Sequence, residues 1–167
     1  MPLREDELIK EGVKEAAELM VISGKTAPKA KGVDNIEMAV ICDREELEKL
    51  ASKMEEMADE LGAFFKRDAM NIRNSDAVII IGARNVDFKL KNPPDYKDID
   101  LNKLMSIINL GIAIGSMAKM ASIINVDNRI MYSAGLAAQR MKIVDADYVL
   151  AIPLSVKGKN IYFDRKF

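Results

Sequence analysis

Two residue types set the chemical limits of this 167-residue chain: it has no histidine, and its one cysteine is Cys42. Without an imidazole, neither a Ser-His-Asp nor a Cys-His nucleophile can be built. A zinc site of Cys and His ligands is equally out of reach, and a single thiol cannot hold an iron–sulfur cluster. What remains is carboxylates, lysines and backbone amides, or chemistry carried by a bound cofactor. Asp76, Asp145 and Asp147 flank predicted strands, but their spacing makes neither a metal cage nor a paired-carboxylate catalyst. No metal site is expected, and no catalytic residue is assigned. Cys42 closes an apolar run with no base beside it, which reads as a buried, inert thiol. The G-x-G-x-x-G and Walker-type phosphate loops are also missing.

Four segments carry residues of interest. The loop Lys25–Asn35 holds Lys25, Lys29 and Lys31 beside Pro28 and Gly32, a stiffened cationic turn. Its lysines either hold an anion or complement the C-terminal dipole of the preceding helix, the second being the commoner case. Asn125–Gly135 leads into a predicted helix, whose first amides at Ser133, Ala134 and Gly135 are free to face a ligand oxygen. Local backbone contacts from Asn128 and Arg129 are the ordinary alternative. The turn Ser155–Asn160 offers Lys157 and Lys159 around Gly158, then Asp164 and Arg165, yet a hairpin alone explains the glycine. Gly111, Gly115, Ala118 and Ser122 run at i, i+4, i+7 and i+11, a row over which another helix approaches closely.

These segments need elements to position them. Ile9, Val13, Ala16, Ala17 and Met20 make one apolar stripe on a helix over 4–23, with Gly24 as its stop. Ile36–Cys42 reads as a strand. Asp43 and Glu46 form a capping arrangement for a helix with Leu47, Leu50, Ala51, Met54, Met57, Ala58 and Leu61 at helical spacing, ended by Gly62. A short helix over 67–74 precedes the strand 77–81, which has no alternation and must be buried on both faces. Residues 83–100 are irregular around Asn92-Pro93-Pro94. The helix 101–124 looks apolar nearly all round, and another starts at Tyr132 or Ser133. Tyr148–Pro153 and Asn160–Phe163 read as strands.

The whole is expected to be one domain, 1–167, of mixed α/β or α+β layers. With 25 Lys plus Arg against 26 Asp plus Glu, there is no global attraction to nucleic acid or to an anionic membrane. The start is charged, so no signal peptide is read, and Lys119 within the long apolar helix favours a core helix over a membrane span. One cysteine fits a reducing cytoplasm.

Several stretches together resemble an uncharacterised prokaryotic family described as containing a ferredoxin domain. They are Thr26–Asn35, Phe65–Ala69, Asn74–Val78, Leu110–Gly115, Asp127–Tyr132 and the run from Gly158 to Arg165. Members of that family commonly carry a Cys-Gly-x-Cys-Gly type segment after the strand matching Ala77–Gly82. Here that place reads Ala83–Pro94 without a cysteine, so no iron–sulfur cluster is expected. More distantly, the chain is similar to flavin-dependent nitroreductases. Ala27-Pro28 resembles their Ala-Pro-Ser-x-x-Asn loop against FMN, with Lys29 where serine stands and Asn35 displaced. Leu110–Ile124 resembles their central dimer helix, Ser133–Gly135 the turn beside the flavin, and Tyr148–Leu154 the next strand. The Arg-Arg-Ser phosphate motif has no counterpart.

That resemblance implies an α+β, nitroreductase-like fold, with a mixed or antiparallel sheet packed with helices around a long central helix. It further implies a homodimer through Leu101–Ile124 and an FMN-binding flavoprotein, with NAD(P)H-dependent oxidoreductase activity as the finer expectation. Lys25, Thr26, Pro28, Lys29, Asn35, Ser133 and Gly135 would surround the flavin ring, and Lys157 and Lys159 its phosphate. The alternative is a non-catalytic dimer that kept the scaffold, lost its redox centre and binds a small ligand or partner.

Overall fold

Seven consecutive apolar residues form strand β2 (Ala77–Ala83), and every one is buried. A strand without alternation needs apolar cover on both faces. β1 (Ile36–Ile41) and β4 (Tyr148–Ser155) flank it, and the two-residue β3 (Asp127–Asn128) lies beyond β4. The order is β1-β2-β4-β3, and every pairing is antiparallel. The computed structural model describes residues 2–163.

Val78 and Ile80 point from β2 into a core shared with α2 (Arg44–Leu61), α3 (Phe64–Arg73) and α5 (Tyr132–Arg140). Ala77, Ile79, Ile81 and Ala83 point the other way, into a core built with α1 (Glu5–Thr26) and α4 (Leu101–Ile123). Helices thus cover both faces of one sheet. This is the expected α+β architecture.

Local chemistry explains most element boundaries. The Asp43 carboxylate accepts the backbone N–H groups of Glu45 (2.9 Å) and Glu46 (3.2 Å) and caps α2. Glu46 turns to Lys49 (2.6 Å) rather than back to the cap. Gly62, at φ 118°, ends the helix in a conformation that side chains resist. Gly24 is not the stop of α1, as the sequence suggested: it lies buried inside the helix. A Cβ there would sit 2.7 Å from Met117 Sδ, so its smallness serves the α1–α4 contact. The helix ends at Ala27, extended at ψ 142° because Pro28 follows.

Pro153 sits inside β4 without breaking it. Ala151 exchanges both backbone hydrogen bonds with Met131 on the outer side of β4, so Pro153, two residues on, faces that side as well. Pairing with β3 covers only Ser155 and Leu154, and the proline lies in the gap between these contacts.

Two further expectations fail. Residues 161–163 form a turn rather than a strand, with Tyr162 buried and its hydroxyl 2.9 Å from Ser75 Oγ. Asp164 and Arg165 lie outside the described residues. The long helix is not covered all round either. Leu110, Ala113, Ile114, Met117 and Ala121 of α4 face the core, while Ile107, Ile108, Ile112 and Ile123 are 39–60% exposed. By length and composition alone α4 would cross a membrane; here its inner side packs on β2 and α1.

Candidate functional site

The residues picked out from the sequence fall into three places. At the C-terminus of α1, Lys25 pairs with Asp34. The Lys29 ammonium donates to the carbonyls of Lys25 (2.7 Å) and Ala27 (2.8 Å) and lies 3.9 Å from Asp34. Its side chain is only 6% exposed, so the lysine closes the helix end. Thr26 Oγ1 donates to the Ile22 carbonyl (3.1 Å), and Pro28 turns the chain. Partial burial pushes the Asp34 carboxyl up, but the bonds from Lys25 and the Ile36 amide, with Lys29 nearby, outweigh it and hold it below its usual range. Asn35 is fully buried. Its Nδ2 donates to the Arg84 carbonyl (2.7 Å), and its Oδ1 accepts from Asn109 of α4 (2.9 Å). Asn109 Oδ1 in turn accepts the Ala30 amide (2.8 Å), which ties this loop to α4.

The second place is the start of α5, on the opposite face of the sheet. Ser133 Oγ donates to Asp68 Oδ2 (2.7 Å), and both residues are buried. Arg67 holds Asp68 Oδ1 with Nε (3.0 Å) and Nη2 (2.8 Å), and Arg129 Nη1 lies 3.8 Å from the same oxygen. A buried carboxylate at a helix N-terminus complements the dipole there. Gly135 is the point where α5 touches β4: a Cβ on it would overlap the backbone of Val149 and Leu150. Its smallness is needed by the protein's own packing. Around this corner Ile130, Tyr132 and Phe163 are 48–60% exposed, and the Arg129 guanidinium lies 5.9 Å from the Phe163 ring centre. Sequence reasoning passed over these three. The available signal was alternation in Ile130-Met131-Tyr132, where Met131 alone turns inward and bridges to Ala151.

Lys157 occupies the third place. Its ammonium binds the Asn74 carbonyl, while Arg44 binds those of Arg73 (2.5 Å) and Ser75 (3.2 Å). Both cations close the C-terminal end of α3. Lys159 sits two residues on, exposed in the turn after β4, with contacts of its own. Lys157 borders a crevice of about 500 Å³ shared with Lys10, Cys42, Asp43 and Asp76. Burial raises the Cys42 thiol above its ordinary range, an effect that Lys14 opposes and Glu18 reinforces, so the thiol stays protonated at neutral pH.

Lys157 therefore stands by the first half of α1, and Lys25 and Lys29 by its end. Fifteen helical residues separate Lys10 from Lys25, roughly 22 Å. One protomer does not gather the nine residues around a single ligand.

A separate crevice of about 270 Å³ opens between α4 and α5 beside the start of β4. Ile107 and Leu110 line it from α4, Tyr132 and Leu136 from α5, and Tyr148 from β4. Gln139 Nε2 donates to the Asp147 carbonyl (2.8 Å), which covers part of this strand edge. The Lys103 ammonium lies 5.8 Å from the centre of the Tyr148 ring.

A flavin needs flat apolar walls for its ring and charged donors for its phosphate. The α5 corner and the α4–α5 crevice offer such walls. Of the two lysines nominated for the phosphate, Lys157 already serves the end of α3, so within one protomer the fit extends to the ring only. An iron–sulfur cluster does not fit, since Cys42 is the chain's one thiol.

Comparison with known proteins agrees with this scaffold. An uncharacterized protein of Archaeoglobus fulgidus is 41% identical over 181 residues, covering 99% of this chain and 98% of that one. Residues 102–165 match the family described as uncharacterized proteins containing a ferredoxin domain (DUF2148). Among solved structures, a BluB-like flavoprotein from Clostridium difficile superposes with a TM-score of 0.58 at 16% identity, over 100% of this chain and 87% of that one. The NADPH:FMN oxidoreductase of Vibrio harveyi, complexed with NAD+, gives 0.61 at 11% identity, over 96% of this chain and 63% of its own. Nitroreductase A of Vibrio parahaemolyticus gives 0.60 at 12%, over 96% and 62%. At these identities the likeness is one of fold. Full-length identity to the Archaeoglobus protein and the match over 102–165 lead to one conclusion: the chain belongs to the family of uncharacterized proteins containing a ferredoxin domain, built on a nitroreductase-like fold.

Proposed function

We propose that two copies pair through the exposed row of α4, and that the dimer is a cytoplasmic, FMN-binding oxidoreductase using NAD(P)H. The observation that carries this reading is the open face of α4. Apart from the adjoining residues and the backbone of α4 itself, no atom of the described residues lies within 4 Å of where a Cβ would stand on Gly111 or Gly115, while Ile108 and Ile112 beside them are exposed. Small residues flanked by isoleucines, with nothing over them, suit the backbone of a second helix. Pairing answers part of the scatter of the candidate residues: Lys25, Thr26, Pro28, Lys29 and Asn35 of one copy would face Ser133 and Gly135 of the other, while Lys157 and Lys159 stand apart by the first half of α1. A bound flavin supplies hydride transfer; the chain holds and orients it and excludes water.

Two of the structural neighbours, an NADPH:FMN oxidoreductase and a BluB-like flavoprotein, support the cofactor class. Light scattering of the purified protein and titration with FMN followed by flavin fluorescence test the reading. A dimer with saturable binding is expected. A monomer, or a colourless dimer with no saturable titration, removes it.

A second reading is favoured by one specific observation. Lys29 and Lys157 are bonded to helix-end carbonyls, and a phosphate would have to draw them away. On that reading the dimer is non-catalytic and keeps the scaffold for a small ligand or a partner. The colourless dimer is its signature.

A further inference from the structure

We infer that residues 157–163 form a latch, held shut by Tyr162, that opens while the rest of the protomer stays folded and bares Ser155 and Arg129. This goes beyond the flavin reading and stands without it, since neither residue under the latch is assigned to the flavin.

Side chains, not a backbone ladder, attach the segment. β4 ends at Ser155, and among the described residues no backbone–backbone hydrogen bond joins 157–163 to another element. Lys157 binds the Asn74 carbonyl, Lys159 has contacts of its own, and Asn160 Oδ1 accepts the Tyr162 amide within the turn (3.0 Å). Tyr162 is the buried anchor. Its hydroxyl lies 2.9 Å from Ser75 Oγ, which donates to the Asn71 carbonyl (2.7 Å). Phe163, the next residue, is exposed, and Gly158 near the root of the segment has open space where a Cβ would stand. A stretch fixed by one buried ring belongs to the low-stability end of a structure.

What lies beneath favours opening. Asp76 brackets Ser155 from one side, donating its amide to the Leu154 carbonyl (2.9 Å) and accepting the Val156 amide (3.1 Å); Asp127 is the partner of Ser155 on the other side. Burial raises the Tyr162 phenol, the bond to Ser75 lowers it in part, and the charges of Asp76 and Asp127 raise it further, so the ring lies within reach of both. Arg129 continues the register of β3: Asp127 pairs with Ser155 and Met131 bridges to Ala151, so Arg129 stands across from Pro153 on the face of Ser155. Its guanidinium meets the Phe163 ring at 5.9 Å. Ser155 Oγ and Arg129 Nη1 are both buried, and among the described residues neither has a hydrogen-bond partner. The nearest acid to Arg129 Nη1 is Asp68 Oδ1 at 3.8 Å, an oxygen that Arg67 already holds. Keeping two polar groups buried and unpaired costs free energy, which opening recovers by hydrating them. The closed state is therefore favoured by one side chain, Tyr162, and opposed by two.

The test reads a thiol placed under the latch. Ser155→Cys is made in the full chain together with Cys42→Ser; Ser155 Oγ has no partner to lose, so sulfur is tolerated there. Its reaction with an aromatic disulfide that releases a coloured thiolate is followed without denaturant and in urea below the unfolding transition. Labelling should be far slower than that of a free thiol and constant across that urea range, because a local opening exposes little surface. Adding Tyr162→Phe should speed it about fivefold, the worth of one neutral hydrogen bond. Ser75→Ala should have the same effect, and the two together no more than either alone. Tryptic cleavage after Lys157 and Lys159, read by mass spectrometry on the otherwise unchanged chain, should also rise with Tyr162→Phe and serves if the thiol variant does not fold. Labelling that appears only with global unfolding, labelling as fast as a free thiol, or cleavage indifferent to Tyr162→Phe overturns the inference. FMN is absent throughout, so the result does not depend on the flavin reading, and a failed FMN titration leaves the latch standing.

Discussion

The outer surfaces of the two helical layers are finished differently. On α2 and α3 the solvent side is laced with ion pairs: Arg73 bridges Glu48 (2.8 Å) and Glu55 (2.5 Å), and Lys49 and Lys53 pair along α2. Arg140 of α5 reaches Glu60 (2.7 Å) in the same layer. On α1 and α4 the solvent side carries Leu8, Leu19, Ile22, Ile108, Ile112 and Ile123, all at least 39% exposed. Both layers have well-buried inner sides, so the contrast does not come from the core. A surface of paired charges is complete in water, whereas exposed apolar side chains gain by being covered. One layer's solvent side is laced with ion pairs, and the other carries the isoleucine row proposed above as a dimer seam.

Breaking the ion-paired layer should have the largest effect. Asp68→Ala strips the partner from Ser133 and from both arginines in a buried site, and a loss of about 3 kcal/mol is expected in chemical denaturation. Gly135→Ala forces a methyl group into the backbone of β4, and up to about 3 kcal/mol should go, read as a lower melting temperature. The layer with the isoleucine row should respond in the opposite sense. Gly111→Ala meets nothing in the protomer, so the protomer should gain about 0.5–1 kcal/mol from helix propensity. Gly111→Arg should leave the fold intact and abolish the dimer by light scattering. If instead Gly111→Arg unfolds the chain, the two layers are not different in kind.

The effect confined to the narrowest conditions is a pH slope, felt only in alkali. Burial holds the Tyr162 phenol above its ordinary range; the bond to Ser75 lowers it in part, and Asp76 and Asp127 raise it further. A raised folded-state value means stability that is complete below the unfolded value of about 10 and falls as pH rises above it. Relative to Tyr162→Phe, wild-type stability should therefore begin to fall near pH 10 and approach a slope of about 1.4 kcal/mol per pH unit roughly one unit higher. Parallel curves for the two proteins would show that the phenol is not held by this pocket.

Much of the scaffold was legible because its signals are local. Asp43 caps α2, Gly62 ends it, and the unbroken apolar run 77–81 foretold a strand buried on both sides, which the structure extends to Ala83. The misreadings share a cause. Gly24 looked like a helix stop because a glycine near a predicted end usually is one; only the approach of Met117 reveals its other use. Residues 160–163 have a strand's composition, but no partner strand lies beside them, and Tyr162 goes to Ser75 instead. For the site, the sequence put the lysines of the 25–35 loop in one cationic turn; Lys25 and Lys29 meet at Asp34, and Lys31 goes to the Phe88 carbonyl. That Lys29 turns inward to close α1 depends on where the carbonyls of Lys25 and Ala27 end up. Ile130, Tyr132 and Lys103 attracted no attention, since exposure is not written in residue type.

Composition alone determined that this protein has no imidazole or thiol-pair chemistry, and spacing alone determined which helices are amphipathic, because both are properties of short windows. Which cations are spent on helix ends, which glycines face open space and where aromatic rings meet across the edge of β4 were decided only by tertiary structure. Those facts rest on contacts between residues tens of positions apart, and no local pattern encodes such a distance.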